Sequence, residues 1–533
     1  MNPEYAEAIA SIQAVKLAVA IAGTGLWLWG AVLNRVGRSG RQRRLRDALL
    51  LTLGLLSVLC WTNFFRFHYS HYLHGTDFFH YYMGARYFPE LGYTGLYDCT
   101  SAADVAAGLG DQVAARSMRN LETNAIESGK AIVADLARCT RRFSPERWLE
   151  FQTDVAWFRQ LIPDSYWQKI QLDHGYNATP AWAILGSTLA SFGETTPARI
   201  FALTLLDWLL LVAMWGVVWR AFGWRVMCAA LIFWGTNYPA HFGWTGGSYL
   251  RQDWLAALVI GICCIRMDRP LAGGFALACA TLLRIYPGFV VLALALKAAL
   301  EMLRRRRFWL SRSHARIAIG GLLATASIFA MSEFAAGGSS AWREFAVNTR
   351  RHLATPSANR TGLVTLISYD AETRAGRAIE PSKADPFAAW REARVDTFER
   401  RRLLYWSLVL GYTGLLVYAM RAQKDWVCAV LGIGLIPIVA EPSSYYLAAL
   451  LGFGLLASLR GSFGAGICGL AALTLLTPKI WHDVDVAFVG ISGEVVVFIV
   501  LATAFIARQN GSGAPTDKAG PDVSASTGGS FRS

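Results

Sequence analysis

Long apolar runs with almost no charge recur along most of the chain, for example at 317–330 and 495–506. The hydrocarbon core of a bilayer is about 30 Å thick and takes roughly 20 apolar residues per helix. Only helices and closed barrels satisfy their backbone groups in lipid, and these runs lack the period-two alternation of a barrel strand. The pattern therefore predicts an all-α polytopic membrane protein.

The runs predict about 12–13 transmembrane helices. Their approximate positions are 13–33, 48–66, 198–219, 225–240, 252–266, 271–284, 287–303, 316–336, 403–420, 425–440, 446–459, 464–480 and 487–507. Pro287 breaks the pair 271–284 and 287–303, so these two runs are not expected to form ideal spanning helices. The run 178–192 is predicted to be re-entrant or interfacial, because a full crossing would invert every later loop.

Charge sets the orientation. Charged residues make up 17% of the chain, against about 25% in an average soluble domain. Lys and Arg exceed Asp and Glu by 14. Because the arginines cluster at the ends of apolar runs, above all in 35–46 and 304–316, they indicate cytoplasmic anchoring rather than nucleic-acid binding. We therefore expect a multi-pass protein of the cytoplasmic (inner) membrane, in contact with membrane lipids.

This threading divides the chain into three parts. Residues 1–47 form an extra N-terminal span and a basic cytoplasmic loop, and 48–507 form the main membrane domain. Two large loops of that domain, 67–197 and 337–402, are predicted to lie outside, on the periplasmic face. The segment 508–533 is rich in Gly, Ser and Pro and is predicted to be a disordered cytoplasmic tail.

The first outer loop has order of its own. Ser144 and Pro145 suit the start of a helix, and Trp148, Phe151, Val155, Phe158 and Ile162 follow at helical spacing. This amphipathic helix could lie on the membrane surface or pack on the core of the loop; both interpretations stay open.

Cysteines point to the same loop. Seven of the nine fall in apolar runs, where they act as small hydrophobic residues, and Cys99 and Cys139 both lie in the first outer loop. A disulfide between these two is one outcome in an oxidising compartment, and the sequence does not decide it.

Asp77 is the first candidate for chemistry. It lies in 75–82 (GTDFFHYY), soon after the second predicted span. An acid beside apolar rings at a membrane mouth is partly desolvated, which raises its basicity and suits a general base. The alternative is an acid that merely caps a helix at the interface.

Arginines supply positive charge at the same predicted face. Arg251 opens the fifth predicted span and Arg284 lies between two short apolar runs. An intramembrane arginine is costly and faces a cavity or a partner, and its guanidinium suits a phosphate. The alternative is an internal ion pair of Arg251 with Asp77 or Asp253.

Other outer segments hold further polar residues. Arg350, His352 and Asn359 lie in the second outer loop, where lipid headgroups are an alternative ligand, and Glu441 and Tyr445 lie in a later turn. No P-loop, dinucleotide fingerprint, zinc motif or nucleophile elbow is present. We therefore expect no metal or other cofactor.

Several motifs in order resemble the GT-C glycosyltransferases, and most closely glycosyltransferase family 87, which uses polyprenyl-phosphate sugars. The motifs that carry the resemblance are 77–82 (DFFHYY), 92–97 (GYTGLY), 176–180 (YNATP), 247–253 (GSYLRQD), 283–287 (LRIYP), 340–345 (SAWREF) and 359–363 (NRTGL). It covers most of 48–460. The long first loop, the extra N-terminal span and the turn at Arg251 depart from the family pattern.

The resemblance implies a GT-C-like bundle and an inverting transfer of mannose, or another hexose or pentose, from a polyprenyl-phosphate donor to a lipid or glycan acceptor. Asp77 would be the catalytic base, and Arg251, Gln252 and Arg284 would bind the donor phosphate. The remaining candidates for contact with substrate are His80, Tyr81, Tyr286, Arg350, His352, Asn359, Glu441 and Tyr445.

Two other functions are compatible with the pattern. A lipid-linked oligosaccharide polymerase or ligase would depend on arginines of the later loops, here Arg350, Arg351 and Arg360. A transporter or flippase would show inverted repeats and acids near mid-membrane, and the chain shows neither.

Overall fold

The computed structural model describes residues 3–38, 40–67, 71–335, 337–383 and 385–510. Apart from one small two-stranded ribbon, the regular structure of this part of the chain is helical. The predicted tail 508–533 is described only as far as residue 510, and 508 and 509 continue the last helix. The rest of it lies outside the described residues.

The helices of the first half are α1 (Pro3–Arg35), α2 (Arg43–Trp61), α3 (Gly75–Arg86), α4 (Phe88–Leu91), α5 (Leu96–Ala106), α6 (Gly110–Ala115), α7 (Lys130–Ala134), α8 (Ala137–Thr140), α9 (Pro145–Leu161), α10 (Asp164–Ile170), α11 (Pro180–Ser191), α12 (Pro197–Phe222), α13 (Trp224–Thr236) and α14 (Phe242–Thr245). The ribbon pairs β1 (Ser117–Arg119) with β2 (Ile126–Ser128) antiparallel, with Ser117 opposite Ser128.

The helices of the second half are α15 (Asp253–Arg266), α16 (Pro270–Leu283), α17 (Gly288–Arg305), α18 (Arg312–Ala335), α19 (Gly338–Leu353), α20 (Leu363–Ile367), α21 (Ala375–Ala378), α22 (Ala388–Arg400), α23 (Arg402–Met420), α24 (Asp425–Ile433), α25 (Leu435–Val439), α26 (Leu451–Leu455), α27 (Gly461–Ile480) and α28 (Val484–Gln509). Short 3-10 turns cover Asn63–Phe65, Ser444–Leu450 and Leu456–Ser458.

Among the described residues, six helices are long and apolar enough to cross a bilayer. They are Glu7–Arg35, Pro197–Phe222, Arg312–Ala335, Arg402–Met420, Gly461–Ile480 and Val484–Gln509. Each of the other predicted spans also coincides with helix, but several of these helices are short, such as Trp224–Thr236 and Pro270–Leu283. The chain therefore has the architecture of an all-α, multi-pass membrane protein.

Close glycine contacts define how the helices run. In α2 and α13, Gly54 lies against Cys228 and Gly235 lies against Ser57, so the two helices are parallel. In α1 and α27, Gly23 lies against Cys468 and Gly464 against Trp27, so these two are antiparallel. Both directions agree with the alternation of the predicted spans.

The basic loops meet at one end of the bundle, which we call the arginine end. Arg225 donates from Nε to Asp47 at 2.7 Å. The guanidinium of Arg266 lies over the rings of Phe222 and Trp426, and Arg304 donates to the backbone carbonyl of Arg421. The predicted threading puts the same loops together.

The first outer loop packs around a core of its own at the opposite end, which we call the cavity end. The apolar face of α9 belongs to this core, since Phe151, Val155 and Phe158 are fully buried. Ser144 accepts from Arg147 N–H and caps α9 as predicted. Of the two interpretations of this helix, packing on the loop's core is therefore the correct one.

Polar bonds tie α9 and the loop together. Arg86 of α3 pairs with Glu150 and, at 3.0 Å, with Asp154 of α9. Cys99 and Cys139 are joined by a disulfide with Cα atoms 5.2 Å apart. The ion pairs fix α3, which carries Asp77, to α9, and the disulfide joins α5 to α8.

The run 178–192 forms the 12-residue helix α11, about 18 Å long and too short to cross a bilayer. Both its ends lie at the cavity end. Thr179 donates to the Leu283 carbonyl, and Ala190 accepts from Arg86. The chain is also broken at 284–287, between α16 and α17, as the proline predicts.

The N-terminal helix is part of the bundle. Besides its contact with α27, its buried Lys16 donates to the side chain of Asn63, just after α2, at 2.7 Å. The helix α1 of the predicted N-terminal segment thus packs directly against the main domain.

Candidate functional site

A polar cavity of about 520 Å³ lies at the cavity end. Five segments that are far apart in sequence line it: the start of α3, residues 166–177, the turn before α15, residues 352–360, and the turn before α26. The predicted site residues that line it are Asp77, His80, Tyr81, Arg251, His352, Asn359 and Tyr445. Most of the candidates chosen from sequence therefore face one space.

Asp77 lies in the first turn of α3, but it does not cap that helix. Nδ1 of His74 accepts from Asp77 N–H at 3.3 Å and provides the cap. Nε2 of His74 therefore carries the proton, and it faces the Gly243 carbonyl at 3.0 Å. Burial lowers the pKa of His74, which favours this neutral form. The Asp77 carboxylate, 15% exposed, is left facing the cavity.

Arg251 is the ion-pair partner of Asp77, with Nε 3.3 Å from Oδ2. The internal pair considered from the sequence therefore does form. The guanidinium of Arg251 also lies 4.4 Å from the ring centre of Tyr81 and 5.1 Å from that of Tyr445. Ring faces attract cations, so Arg251 is fixed by one carboxylate and two aromatic rings.

The turn that carries Arg251 is fixed from below. The buried carboxylate of Asp207, in α12, accepts from the backbone N–H groups of Arg251 and Gln252, both at 3.0 Å. Asp207 was not among the predicted site residues, although a single acid inside an apolar run is a signal of function or of a buried partner.

Gly247 fixes the same turn to α3. Its φ of +67° suits glycine, and a Cβ there would lie 2.0 Å from the Tyr72 carbonyl oxygen. Its own carbonyl accepts from His74 N–H at 3.0 Å. The base candidate and the arginine therefore sit on two segments that are bonded directly to each other.

Arg284 lies behind Tyr81. Its guanidinium is 5.6 Å from the Tyr81 ring centre, so two arginines lie close to this ring. Nη1 donates to the Leu283 carbonyl. Nη2 is buried and has no hydrogen-bond partner among the described residues. Such a donor is available to an anion, although Arg284 does not itself line the cavity.

His80 belongs to a hydrogen-bonded chain on the other wall. The Tyr97 hydroxyl accepts from Gly175 N–H at 2.9 Å and donates to Nε2 of His80 at 2.8 Å. Nδ1 then carries the proton and faces Asp173 Oδ2 at 3.8 Å. Burial lowers the pKa of His80, consistent with a neutral ring.

Asp173, His174 and Arg360 are lining residues that were not among the predicted site residues. Asp173 offers a second carboxylate to the cavity. His174 stands edge-on to His352, with ring centres 4.5 Å apart. Arg360 is buried and donates to the carbonyls of Glu441 and His352. Asp173 and His174 immediately precede the motif 176–180 (YNATP), which is the one signal that could have found them.

Besides Arg284, four other predicted site residues do not line this cavity. Gln252 donates to Thr245 beneath the turn. Glu441 is held by Arg394 at 2.9 Å and by Thr365, so it forms a structural ion pair. The ring of Tyr286 packs on Tyr446. Arg350 is exposed on α19.

A larger cavity of about 1130 Å³ adjoins the first loop between α4, α11 and α19. Its lining mixes charged groups such as Arg86 and Glu344 with apolar side chains at the end of α18, including Phe334, which is 92% exposed. Stacked Tyr93 and Tyr176 stand beside it, and Tyr176 also packs on Tyr81. A wall of tyrosines thus separates the two cavities.

No group of three or more metal-binding side chains occurs among the described residues, and the expectation that no metal is needed stays a prediction. Comparisons with protein-family models, curated proteins and solved structures found no match. The geometry of the site and the motifs in the sequence therefore carry the functional interpretation.

Proposed function

We propose that the protein is an inverting membrane glycosyltransferase with a GT-C-like bundle. It would move a sugar, mannose or another hexose or pentose, from a polyprenyl-phosphate donor to a lipid or glycan acceptor at the outer face of the cytoplasmic membrane. The observation that carries the proposal is the Asp77–Arg251 pair at the edge of the 520 Å³ cavity. It places a proton acceptor beside a cation that suits a leaving phosphate.

The proposed reaction is a single displacement. Asp77 accepts the proton of the acceptor hydroxyl while the oxygen of that hydroxyl attacks the anomeric carbon. The bond from that carbon to the phosphate oxygen breaks, and the lipid phosphate leaves with the electron pair. Attack opposite the leaving group inverts the anomeric centre. Asp173 is the other carboxylate that lines the cavity in the described part of the chain, and no arginine of that part forms a salt bridge with it.

Arg251 and Arg284 are proposed to stabilise the phosphate as its charge grows. Preorganised donors aimed at developing charge act strongly where water is excluded, and both guanidiniums are buried. The Tyr81 ring lies close to both guanidiniums and attracts both. The larger cavity, with its apolar rim at Phe334, suits the chain of a lipid substrate.

The test is transfer from a radiolabelled polyprenyl-phosphate sugar by the full-length protein in lipid vesicles. Removing a general base typically costs 10²–10⁴-fold in rate, so Asp77→Asn should abolish measurable transfer. Asp111→Asn, the same change at an exposed position of the same loop, is the control and should retain wild-type transfer. Transfer by Asp77→Asn at the wild-type rate would refute the role of Asp77.

The second candidate is a lipid-linked oligosaccharide polymerase or ligase. The buried Arg360 in the cavity favours it, since that class depends on arginines of the later loops. In that case Arg360→Ala should abolish activity and Asp77→Asn should not. The reverse pattern, or dependence on a polyprenyl-monophosphate donor, favours the first proposal.

A further inference from the structure

A second cavity lies at the arginine end, far from the Asp77 cavity along the same helices. Its volume is about 860 Å³, and α1, α2, α13, α27 and α28 all contribute to its wall. Its charged lining is Arg35, Arg43, Arg46, Arg225, Arg460 and Asp47. Nothing in the proposed transfer reaction uses this cavity.

The charges in this cavity do not balance. Asp47 is the single carboxylate among the described residues of the lining, and Arg225 already donates to both its oxygens, at 2.7 and 2.5 Å. Arg43 reaches Asp47 only at 3.9 Å. Arg460 lies against the ring of Phe505 rather than against an acid. The wall therefore holds a strong excess of positive charge.

Apolar groups also line this cavity. Leu26 and Trp27 of α1, Leu459 and Phe505 face it together with the arginines. The surface beside it is apolar as well, because Leu28, Val32 and Leu45 are exposed on α1 and α2. Exposed apolar side chains on membrane-spanning helices meet lipid, so the cavity opens toward the acyl chains and carries its charges at the headgroup level.

We propose that this cavity binds an anionic phospholipid of the leaflet at the arginine end. Its headgroup phosphate is held by Arg35, Arg43 and Arg460, and its acyl chains lie along Leu26 and Trp27. Basic pockets between membrane helices suit anionic headgroups, and guanidinium groups bind phosphate in paired hydrogen bonds. A free phosphate would satisfy the arginines but not the apolar wall, so a lipid fits both halves of the site.

Binding there would join three separate parts of the bundle. Arg35 belongs to the N-terminal helix, Arg43 begins α2, and Arg460 precedes α27. A headgroup that contacts all three neutralises cations that otherwise repel one another. The lipid therefore stabilises the attachment of the N-terminal helix pair to α27.

The experiment uses the full-length protein in a neutral detergent. Melting temperature and lipid retention by native mass spectrometry are measured with phosphatidylglycerol, with phosphatidylcholine and with inorganic phosphate. We expect phosphatidylglycerol to bind and to raise the melting temperature, since a ligand of the folded state stabilises it. Equal effects of phosphatidylcholine, or of inorganic phosphate, would overturn the proposal.

A charge-matched pair of variants locates the site. Arg35→Gln/Arg43→Gln/Arg460→Gln removes three exposed arginines of the cavity, and Arg306→Gln/Arg307→Gln/Arg312→Gln removes three exposed arginines elsewhere at the same end. At about a fivefold change per surface arginine, the first variant should bind phosphatidylglycerol about a hundredfold more weakly. Equal loss in both variants would show only diffuse attraction and would refute the site.

Discussion

Asp77 and Arg251 show what single residues can and cannot reveal. Their types and neighbours in the sequence indicate an acid and a cation at one membrane face, and the structure brings them to 3.3 Å. From the sequence the partner of Arg251 could be either Asp77 or Asp253, which is only two positions away. Asp207, which holds the backbone of Arg251, is 44 positions away; it stands out as a lone acid in an apolar run, but the sequence does not indicate its partner.

Asp207→Asn should weaken donor binding rather than remove the chemistry. One carboxylate oxygen becomes an amide N–H₂, which cannot accept from the backbone N–H of Arg251 or Gln252. Arg251 then loses its fixed position. We expect at least a tenfold rise in KM for the polyprenyl-phosphate sugar, a smaller fall in kcat, and a lower melting temperature.

Asp111→Asn again serves as the control for Asp207→Asn. A fall in kcat with KM unchanged would contradict the positioning role of Asp207.

His352 should make stability depend on pH. Burial, and then the positive charge of Arg360, lower its pKa to about 4, whereas an unfolded histidine has a pKa near 6.5. Between about pH 6.5 and 4 the unfolded chain therefore binds a proton that the folded protein does not. Stability is complete above pH 6.5 and falls as the pH drops through this window. His174, Asp173, Arg119 and Arg360 are the charged or titratable neighbours.

The measurement is the melting temperature between pH 7 and 4.5. Wild type should lose more than His352→Gln over this range, and the exposed His482→Gln should follow wild type. Parallel curves for wild type and His352→Gln would contradict the assignment.

At the scale of elements, the sequence signals were strongest where a local rule sufficed. The cap and start of α9 follow from Ser144 and Pro145, and the break at 284–287 follows from Pro287. The sequence did not predict what the apolar face of α9 packs against, because a membrane surface and a protein core both require an apolar helix face. Only the placement of Phe78, Phe79 and Tyr82 around it settles that question.

The disulfide between Cys99 and Cys139 should stabilise the first loop. A cross-link closing a loop of 40 residues contributes about 3–4 kcal/mol to the free energy of unfolding in the chain-entropy view. Cys99→Ser/Cys139→Ser should therefore melt at a lower temperature and be cleaved by protease within 67–197 sooner than wild type.

The control is Cys264→Ser/Cys279→Ser, which removes two cysteines that are not in disulfides. If both double variants melt and are cleaved alike, the cross-link contributes nothing to the loop.

At the scale of the whole molecule, hydropathy and arginine clusters predicted which loops share an end. Hydropathy and charge can be assessed for each segment of the chain separately, without knowing which side chains are in contact. The cavity is different, because residues near 173, 352 and 443 meet only through long-range packing. Its shape therefore could not be predicted from a single sequence.

Labelling with a membrane-impermeant maleimide tests which end faces outward. Because the arginine end is predicted to be cytoplasmic, Arg305→Cys should not react from outside intact cells and should react after lysis. Asp111→Cys, at an exposed site of the first loop, should react in intact cells. The opposite result would invert the predicted threading.

The contact of α1 with α27 has a consequence for biogenesis. Gly23 packs against α27 and Gly464 packs against α1, and about 440 residues of chain separate the two glycines. A ribosome takes roughly 20–90 seconds to add these residues at about 5–20 residues per second. Throughout that interval the first helix is in the membrane without its final neighbour. Its bond from Lys16 to Asn63 is available as soon as α2 has been made, so the nascent hairpin satisfies the buried ammonium long before the bundle closes.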